Sequence, residues 1–456
     1  MIITQIQNKV PKTFPTGGIH PDEVKLTAAS EVRILPVPAR VIIPLSQHIG
    51  ADPVPVVNRG DHVRTGQLIA AANSYVSANI HSPVSGKIAK IDTVTDTSGY
   101  PKAAIFIETD GDEWAEGIDR SSDLVKEIRL RDDEILARCR EAGIVGMGGA
   151  AFPSHVKLSI PEGKKCRTLI INGVECEPYL TSDHRLMLEK GEELMIGITI
   201  LGKVLKPEKI IIGIEENKPD AIEALARIAV DYPGITVQGL RVKYPQGAEK
   251  QLIKAVLDSE VPPGKLPIDI GVVVQNVATA FAVYEAVQKN KPLIERIVTV
   301  SGKSLSAPGN FLVRIGTTFG ELIEAAGGLP GDAGKVLNGG PMMGKAVSSL
   351  EVPVIKGTSG IVVLTGDESE RDETGPCIRC GRCSAACSFN QQPYLMMTLA
   401  MKGMWEKAEA EGITECMECG SCSFVCPASR PILDYIRLGK MTVNKLIRER
   451  NAKSIQ

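Results

Sequence analysis

The sequence predicts a multidomain chain, α/β in its middle and α+β on either side, and three observations carry that prediction. Its 456 residues exceed one ordinary domain and suggest roughly three to four. Between about Asp123 and Gln288, apolar runs alternate with stretches of helical periodicity, the pattern of a parallel sheet with crossover helices. Eight of the eleven cysteines fall between Cys377 and Cys426, which sets the last segment apart from the rest.

Composition narrows the function. At 43% hydrophobic and 23% charged, the chain reads as a folded, soluble type. A net charge of −2 and 4% aromatic residues argue against a surface that binds nucleic acid or stacks bases. The start, MIITQIQNKVPKTF, lacks a basic region leading into an apolar stretch, so no secretory leader is expected. The apolar run Leu194–Leu205 is interrupted by Lys203 and falls short of the ~20 residues that span a bilayer. Any membrane association is therefore expected to be peripheral or through partner subunits. Cys139, Cys166 and Cys176 are scattered while the other eight are concentrated. That is the usage of a cofactor site in a reducing compartment, not of a disulfide framework.

From Val41 to Asp110 short apolar strands are separated by turns at Asn58–Asp61, Thr65–Gly66 and Val84–Gly86. The stretch from Gly60 to Ile91 resembles the biotinyl/lipoyl barrel-sandwich fold. Carriers of that fold bear a modified lysine eight residues before a turn proline. Counting back from Pro83 gives Tyr75, so the resemblance implies a structural relative and not a swinging arm.

In the α/β region strands are expected at Thr168–Ile171, Lys209–Ile214 and Gly271–Val274, with helices at Asn217–Ile228, Gly247–Leu257 and Val277–Val287. Ligands of such sheets sit at the carboxyl ends of the strands. The text from Pro292 to Gly328 gives two strands and a helix at Thr318–Ala326, and is similar to the soluble-ligand-binding β-grasp module. Further strands are expected over Lys335–Thr365, and Gly366–Thr374 reads as an acidic linker. The expected division is 1–119 for the N-terminal segment and barrel-sandwich hybrid and 120–290 for the α/β domain. The β-grasp module with its following strands takes 291–366, and the cysteine domain 367–456.

The cysteines form two runs, Cys377–x2–Cys380–x2–Cys383–x3–Cys387 and Cys416–x2–Cys419–x2–Cys422–x3–Cys426–Pro427. In this spacing three thiolates wrap one [4Fe–4S] cube while the fourth reaches a second cube. Cys377, Cys380, Cys383 and Cys426 are thus assigned to one cluster, and Cys416, Cys419, Cys422 and Cys387 to the other. Ser388 stands where proline commonly follows the fourth cysteine, which affects the exit turn and not the ligands. Zinc would use C-x2-C pairs and leave the third and fourth cysteines without a role. Tyr394, Leu395, Leu399 and Met404, then Leu433, Ile436, Val443 and Ile447, keep helical spacing, so a helical ferredoxin-like domain is expected. The basic residues Lys440, Lys445, Arg448 and Arg450 read as a solvated helix face.

Gly146–Met147–Gly148–Gly149–Ala150–Ala151–Phe152–Pro153 opens the α/β region. Such a loop can cradle a phosphate with its backbone N–H groups, but alone it is a weak signal. Asn172–Gly173–Val174–Glu175–Cys176–Glu177–Pro178, the Tyr244–Glu249 turn and Gln275–Asn276–Val277–Ala278–Thr279 follow in order. Together these segments resemble the flavin-binding subunit of respiratory complex I. The resemblance implies an FMN whose phosphate lies against Gly146, Gly148 and Gly149. It puts Lys157 and Asn172 near the flavin ring, and Glu175, Tyr244, Gly247, Asn276 and Thr279 around the pocket. It also implies that Phe152 could stack on a nicotinamide. Val174, Gln275 and Ala278 replace an aspartate, an asparagine and a glutamate of that family. No side chain is singled out as catalytic. The six histidines show no metal-ligand spacing and read as structural, as does Cys176; Arg185 reads as a structural or phosphate-facing cation.

A resemblance over nearly the whole chain adds PTGGIHP at Pro15–Pro21, VLNGGPMMG at Val336–Gly344 and TSGIVVLT before the cysteines. The assembly resembles the C component of the Rnf electron transport complex, a membrane-bound ferredoxin–NAD oxidoreductase. That implies hydride exchange with NAD(H) at FMN and passage of single electrons through two [4Fe–4S] clusters. It also implies a peripheral position on the cytoplasmic side of the membrane. The partners would be an iron–sulfur subunit and integral membrane subunits, with ferredoxin met indirectly and no nucleic acid. Two alternatives stay open: a soluble electron donor to a substrate reductase, and a non-catalytic ligand-binding module with structural clusters.

Overall fold

The computed structural model describes residues 6–453. Its centre is a five-stranded parallel sheet in the order Ile6–Lys12, Ile235–Leu240, Lys209–Glu215, Thr168–Asn172, Val272–Asn276. The last three of these strands are runs of Ile, Leu and Val because both sheet faces are covered. Leu169, Ile171, Ile212 and Val273 pack against the helices Ser182–Glu189, Gly191–Leu205, Pro219–Ile228 and Val277–Gln288. Ile170, Ile211, Val272 and Val274 face the helix Glu249–Leu257 and Phe14. The apolar run Leu194–Leu205 is the buried helix of this stack. Among the described residues no helix is long and apolar enough to cross a membrane.

The barrel-sandwich is built from a four-stranded sheet (Arg40–Pro44, Pro101–Gly111, Ser85–Thr95, His62–Val63) and a three-stranded one (Val54–Pro55, Leu68–Ala71, Ile80–His81). Val41, Ile43, Val63, Ile69, Ile80, Ile88 and Ile105 fill its core. The hairpin tip is fixed against the α/β domain: the Tyr75 carbonyl lies 3.0 Å from His155 Nε2. The Ile49 N–H also donates to Ala151 O at 3.4 Å.

The β-grasp strands and those after them form one six-stranded mixed sheet, Lys345–Ala346, Ala333–Asn338, Gly360–Thr365, Glu295–Ser301, Gly309–Arg314, Val32–Ile34. Its helix, Phe319–Ala325, starts where Thr318 and Glu321 form a reciprocal capping box.

The N-terminal segment departs from the grouping expected for 1–119. Ile6–Lys12 is an edge strand of the α/β sheet, and Val32–Ile34 pairs in parallel with Gly309–Arg314. These short strands find partners far along the chain, which a local reading of periodicity does not register.

The cysteine domain is helical, as its spacing indicates. Pro393–Met401, Trp405–Ala410 and the long Ile432–Lys453 pack around Met396, Leu399, Ile413, Ile436 and Val443. The acidic stretch before it begins as a short helix, Gly366–Ser369, capped by Thr365.

Candidate functional site

The two cysteine runs have the same backbone shape. Arg379 and Glu418, Gly381 and Gly420, and Asn390 and Ser429 occupy matching positions of the two motifs, and all six have positive φ. The glycines suit this left-handed conformation, while the four non-glycine residues are held in it against their preference. After each turn comes a short helix, Arg382–Ala386 or Ser421–Phe424. None of the eight cysteines forms a disulfide.

Cys387, Cys416, Cys419 and Cys422 line one cavity with Met396, Leu433 and Ile436, the set that the spacing assigned to one cluster. Burial and then the neighbouring sulfurs push Cys422 up to about 12. Burial likewise raises Cys416 to about 11. Thiols crowded in this way become thiolates only beside compensating cations, which is what an iron cube supplies. For the other set, the segment before Cys377 is tied to the segment after Cys426, with Gly375 N–H donating to Ala428 O at 3.0 Å. Cys377 and Cys380 are exposed. Among the described residues no three Cys, His, Asp or Glu side chains converge to hold a single metal ion.

The glycine loop lies at the carboxyl ends of the strands Thr168–Asn172 and Val272–Asn276. It closes on itself through Gly146 N–H to Phe152 O at 2.8 Å. Met147 N–H donates to Thr279 Oγ1 at 2.9 Å, and a methyl added at Gly148 would stand 3.3 Å from Asn276 Cβ. The N–H groups of Gly148, Gly149 and Ala150 meet no acceptor among the described residues and lie exposed. Three adjacent free donors suit an anionic group such as a phosphate.

The side chains around the loop are largely committed. Asn276 Oδ1 caps the helix Val277–Gln288 by accepting from Ala278 and Thr279 N–H, and its Nδ2 donates to Asp183 Oδ2 at 2.7 Å. Burial, then the Glu175 carboxylate, push Asp183 upward. Glu175 itself caps the helix Ser182–Glu189, accepting from Asp183 N–H at 2.8 Å and His184 N–H at 3.1 Å. Lys157 Nζ pairs with Glu249 Oε1 at 2.6 Å and reaches Val274 O at 3.1 Å. Asn172 Nδ2 donates to Gly247 O at 2.8 Å. Phe152 is half-buried.

Tyr244 stands apart from this group. It is buried, its backbone pairs with Ile19, and its hydroxyl donates to Cys419 O at 2.7 Å. It therefore joins the α/β domain to the second cysteine loop. Arg185 pairs with Glu189 and Ala28 O, a structural role. Cys176 Sγ accepts from Gly247 N–H at 3.4 Å.

Sequence reasoning missed the contacts that seat the cysteine domain. Gly18 N–H donates to Ala386 O at 3.0 Å, and a methyl at Gly17 would stand 2.5 Å from the Cys387 carbonyl carbon. Gly17 of PTGGIHP is thus explained by close approach to the cluster loop, and Gly18 by its positive φ and its packing against Lys243, Phe14 and Tyr244 O. Gln251 Nε2 donates to Ser388 O at 2.7 Å. Two buried cations that follow the α/β domain, Arg296 and Lys356, reach Met147 O in the glycine loop and Gly143 O just before it, and no local motif marks them.

Comparison with known proteins agrees with this architecture. Residues 12–112 match the RnfC barrel sandwich hybrid domain, 139–285 the Nuo51 FMN-binding domain, 297–346 the SLBB domain and 373–429 the 4Fe-4S dicluster domain. The chain is 49% identical over 424 residues to the C component of the proton-translocating ferredoxin:NAD(+) oxidoreductase complex of Clostridium ljungdahlii, covering 92% of each. It is 42% identical to the C component of the Na(+)-translocating ferredoxin:NAD(+) oxidoreductase complex of Acetobacterium woodii, covering 94% of this chain and 96% of that one. With the C component of the ion-translocating oxidoreductase complex of Rhodobacter capsulatus the identity is 44%, over 93% and 82% of the two chains. The chain belongs to the RnfC family, the C components of the ion-translocating ferredoxin:NAD(+) oxidoreductase complexes.

Proposed function

We propose that this chain is the NAD(H)-linked electron-transfer subunit of a membrane-bound ferredoxin:NAD(+) oxidoreductase. The observation that carries the reading is one seam. The α/β domain that presents the glycine loop also grips the cavity of Cys387, Cys416, Cys419 and Cys422 through Tyr244 and Gln251. FMN, when bound, interconverts the two-electron chemistry of a nicotinamide and the one-electron chemistry of iron–sulfur clusters.

The chain's own part is to bind and orient. Gly148, Gly149 and Ala150 offer N–H donors to the flavin phosphate, with Gly146 closing the loop behind them. Asn276 and Thr279 hold that loop from below. Lys157 and Asn172 mark the strand ends where the ring would lie, while Glu175 and Gly247 shape the adjoining turns. Phe152 is positioned to flank the nicotinamide. Tyr244 fixes the neighbouring cluster loop and contributes no flavin contact of its own. The four sulfurs of the cavity hold the cluster beside this domain; Cys377, Cys380, Cys383 and Cys426 hold the other.

The partners in this reading are an iron–sulfur subunit and integral membrane subunits, with ferredoxin upstream of them. The chain would dock peripherally on the cytoplasmic side of the membrane. Oxygen-free purification with metal analysis, an optical spectrum and an NADH-to-dye assay tests the reading. About eight irons and one flavin per chain, with NADH oxidation, are expected. Clusters without flavin and without NADH oxidation would sink it in favour of a binding module.

A further inference from the structure

The β-grasp module touches the glycine loop from behind, and Arg296 makes the hydrogen bond across that contact. Arg296, at the start of the strand Glu295–Ser301, is 3% exposed. Its guanidinium forks between two main-chain carbonyls: Nη1 donates to Lys356 O, and Nη2 to Met147 O at 3.4 Å. The next residue after Lys356, Gly357, lies against the same loop, since a methyl there would stand 3.3 Å from Gly149 O.

The effect on the loop follows from peptide geometry. In a trans peptide the carbonyl and the following N–H point in opposite directions. With Met147 O drawn inward to Arg296, the Gly148 N–H is turned outward. Met147 is held at its other end too, by the bond from its N–H to Thr279 Oγ1. Met147, whose carbonyl shares a peptide with the first free donor, is therefore held on both sides, from two different modules.

Charge adds to geometry. Lys356 is fully buried and spends its ammonium on Asn79 O at 2.6 Å and Gly143 O at 2.7 Å. The carboxylate facing Arg296 is Asp183, which is itself bonded to Asn276. Burial lowers Arg296 only to about 10, opposed by Asp183, so it stays cationic at neutral pH. A buried cation that is incompletely balanced costs stability, and an anion bound on the far side of the loop would recover part of that cost.

We propose that Arg296 is a positioning residue for the flavin phosphate. It aims the Gly148 N–H and places positive charge behind the glycine loop, so that the β-grasp module sets how tightly the phosphate monoester is held. This rests on the flavin reading given above.

The test compares FMN with riboflavin, which lacks the phosphate. Flavin fluorescence quenching would give the dissociation constant of each for the full, cluster-loaded chain and for R296K and R296M. Wild type should favour FMN strongly. R296M should weaken FMN by about tenfold or more, the scale of a charge-assisted hydrogen bond, and leave riboflavin within about twofold. R296K keeps the charge, loses the fork, and should fall between; it decides the matter if R296M fails to fold. Equal loss for both flavins, or undiminished FMN preference in R296K, overturns the inference alone. Wild type that binds the two flavins alike overturns the phosphate reading, and the inference with it.

Discussion

The cysteine loops and the glycine loop do the same kind of work, presenting donors to a cofactor, yet they are built differently. Each cysteine motif carries four cysteines and its own left-handed turns in one short stretch, and the cavity draws Cys387 from the first motif and Cys416, Cys419 and Cys422 from the second. The glycine loop supplies donors but not their support. Thr279, Asn276 and Arg296 arrive from more than a hundred residues away, the last from another domain. The first device is local and survives changes elsewhere; the second is only as good as the packing of three modules.

Breaking a local device should be the most drastic and the most contained. C422A removes a sulfur from the cavity and should lower iron from about eight to about four per chain. Metal analysis and electron paramagnetic resonance would read this, with flavin retained. Loss of both clusters would mean that the two cubes are not independent.

Breaking the non-local support should act at a distance from the donors themselves. N276A removes the cap of Val277–Gln288, the bond to Asp183 and the floor under Gly148. A melting curve should show about 1–2 kcal/mol lost from the cap, and dialysis should show faster loss of flavin at unchanged iron. Stability lost with flavin retention unchanged would reduce Asn276 to a capping residue.

The seam between the two regions should respond to pH. Burial pushes Glu177 from an ordinary value of about 4.5 up to about 7, although Met342 and Met343 N–H groups donate to it. The native state thus binds a proton that the unfolded chain releases. Its stabilising contribution is full below about pH 4.5 and is lost as pH rises to about 7. E177Q should flatten stability over that window, by an amount on the order of a few kcal/mol. Urea titrations of the cluster-free chain at several pH values would read the slope; an unchanged slope removes Glu177 as its source.

The smallest effect is expected from Y244F, which deletes one hydrogen bond to Cys419 O. About 1 kcal/mol and a small shift in the signal of the adjoining cluster are expected, with flavin affinity unaltered. Weakened flavin binding would return Tyr244 to the pocket.

Much of this was legible in the sequence, for physical reasons that differ by region. Cysteine spacing dictates ligand geometry directly, so the set lining the cavity follows from the spacing alone. The Ile- and Val-rich strands and the helix expected at Thr318–Ala326 were equally visible because their causes are local. The bond from Tyr244 to the cluster loop was not legible, because a matching turn does not reveal that Ile19 pairs with it and that its hydroxyl reaches Cys419 O. Arg296 and Lys356 were invisible because a buried cation on a strand has no sequence signature apart from its partners. The short strands Ile6–Lys12 and Val32–Ile34 escaped notice for the same reason: their pairing is decided by distant sequence.

The bond from Gly18 to Ala386 joins points near opposite ends of the polypeptide. During synthesis the strand Ile6–Lys12 and Ile19 can find Ile235–Leu240 and Tyr244 first, whereas the Gly18 N–H waits for Ala386, which leaves the ribosome much later. Contacts of such long range form late and slowly.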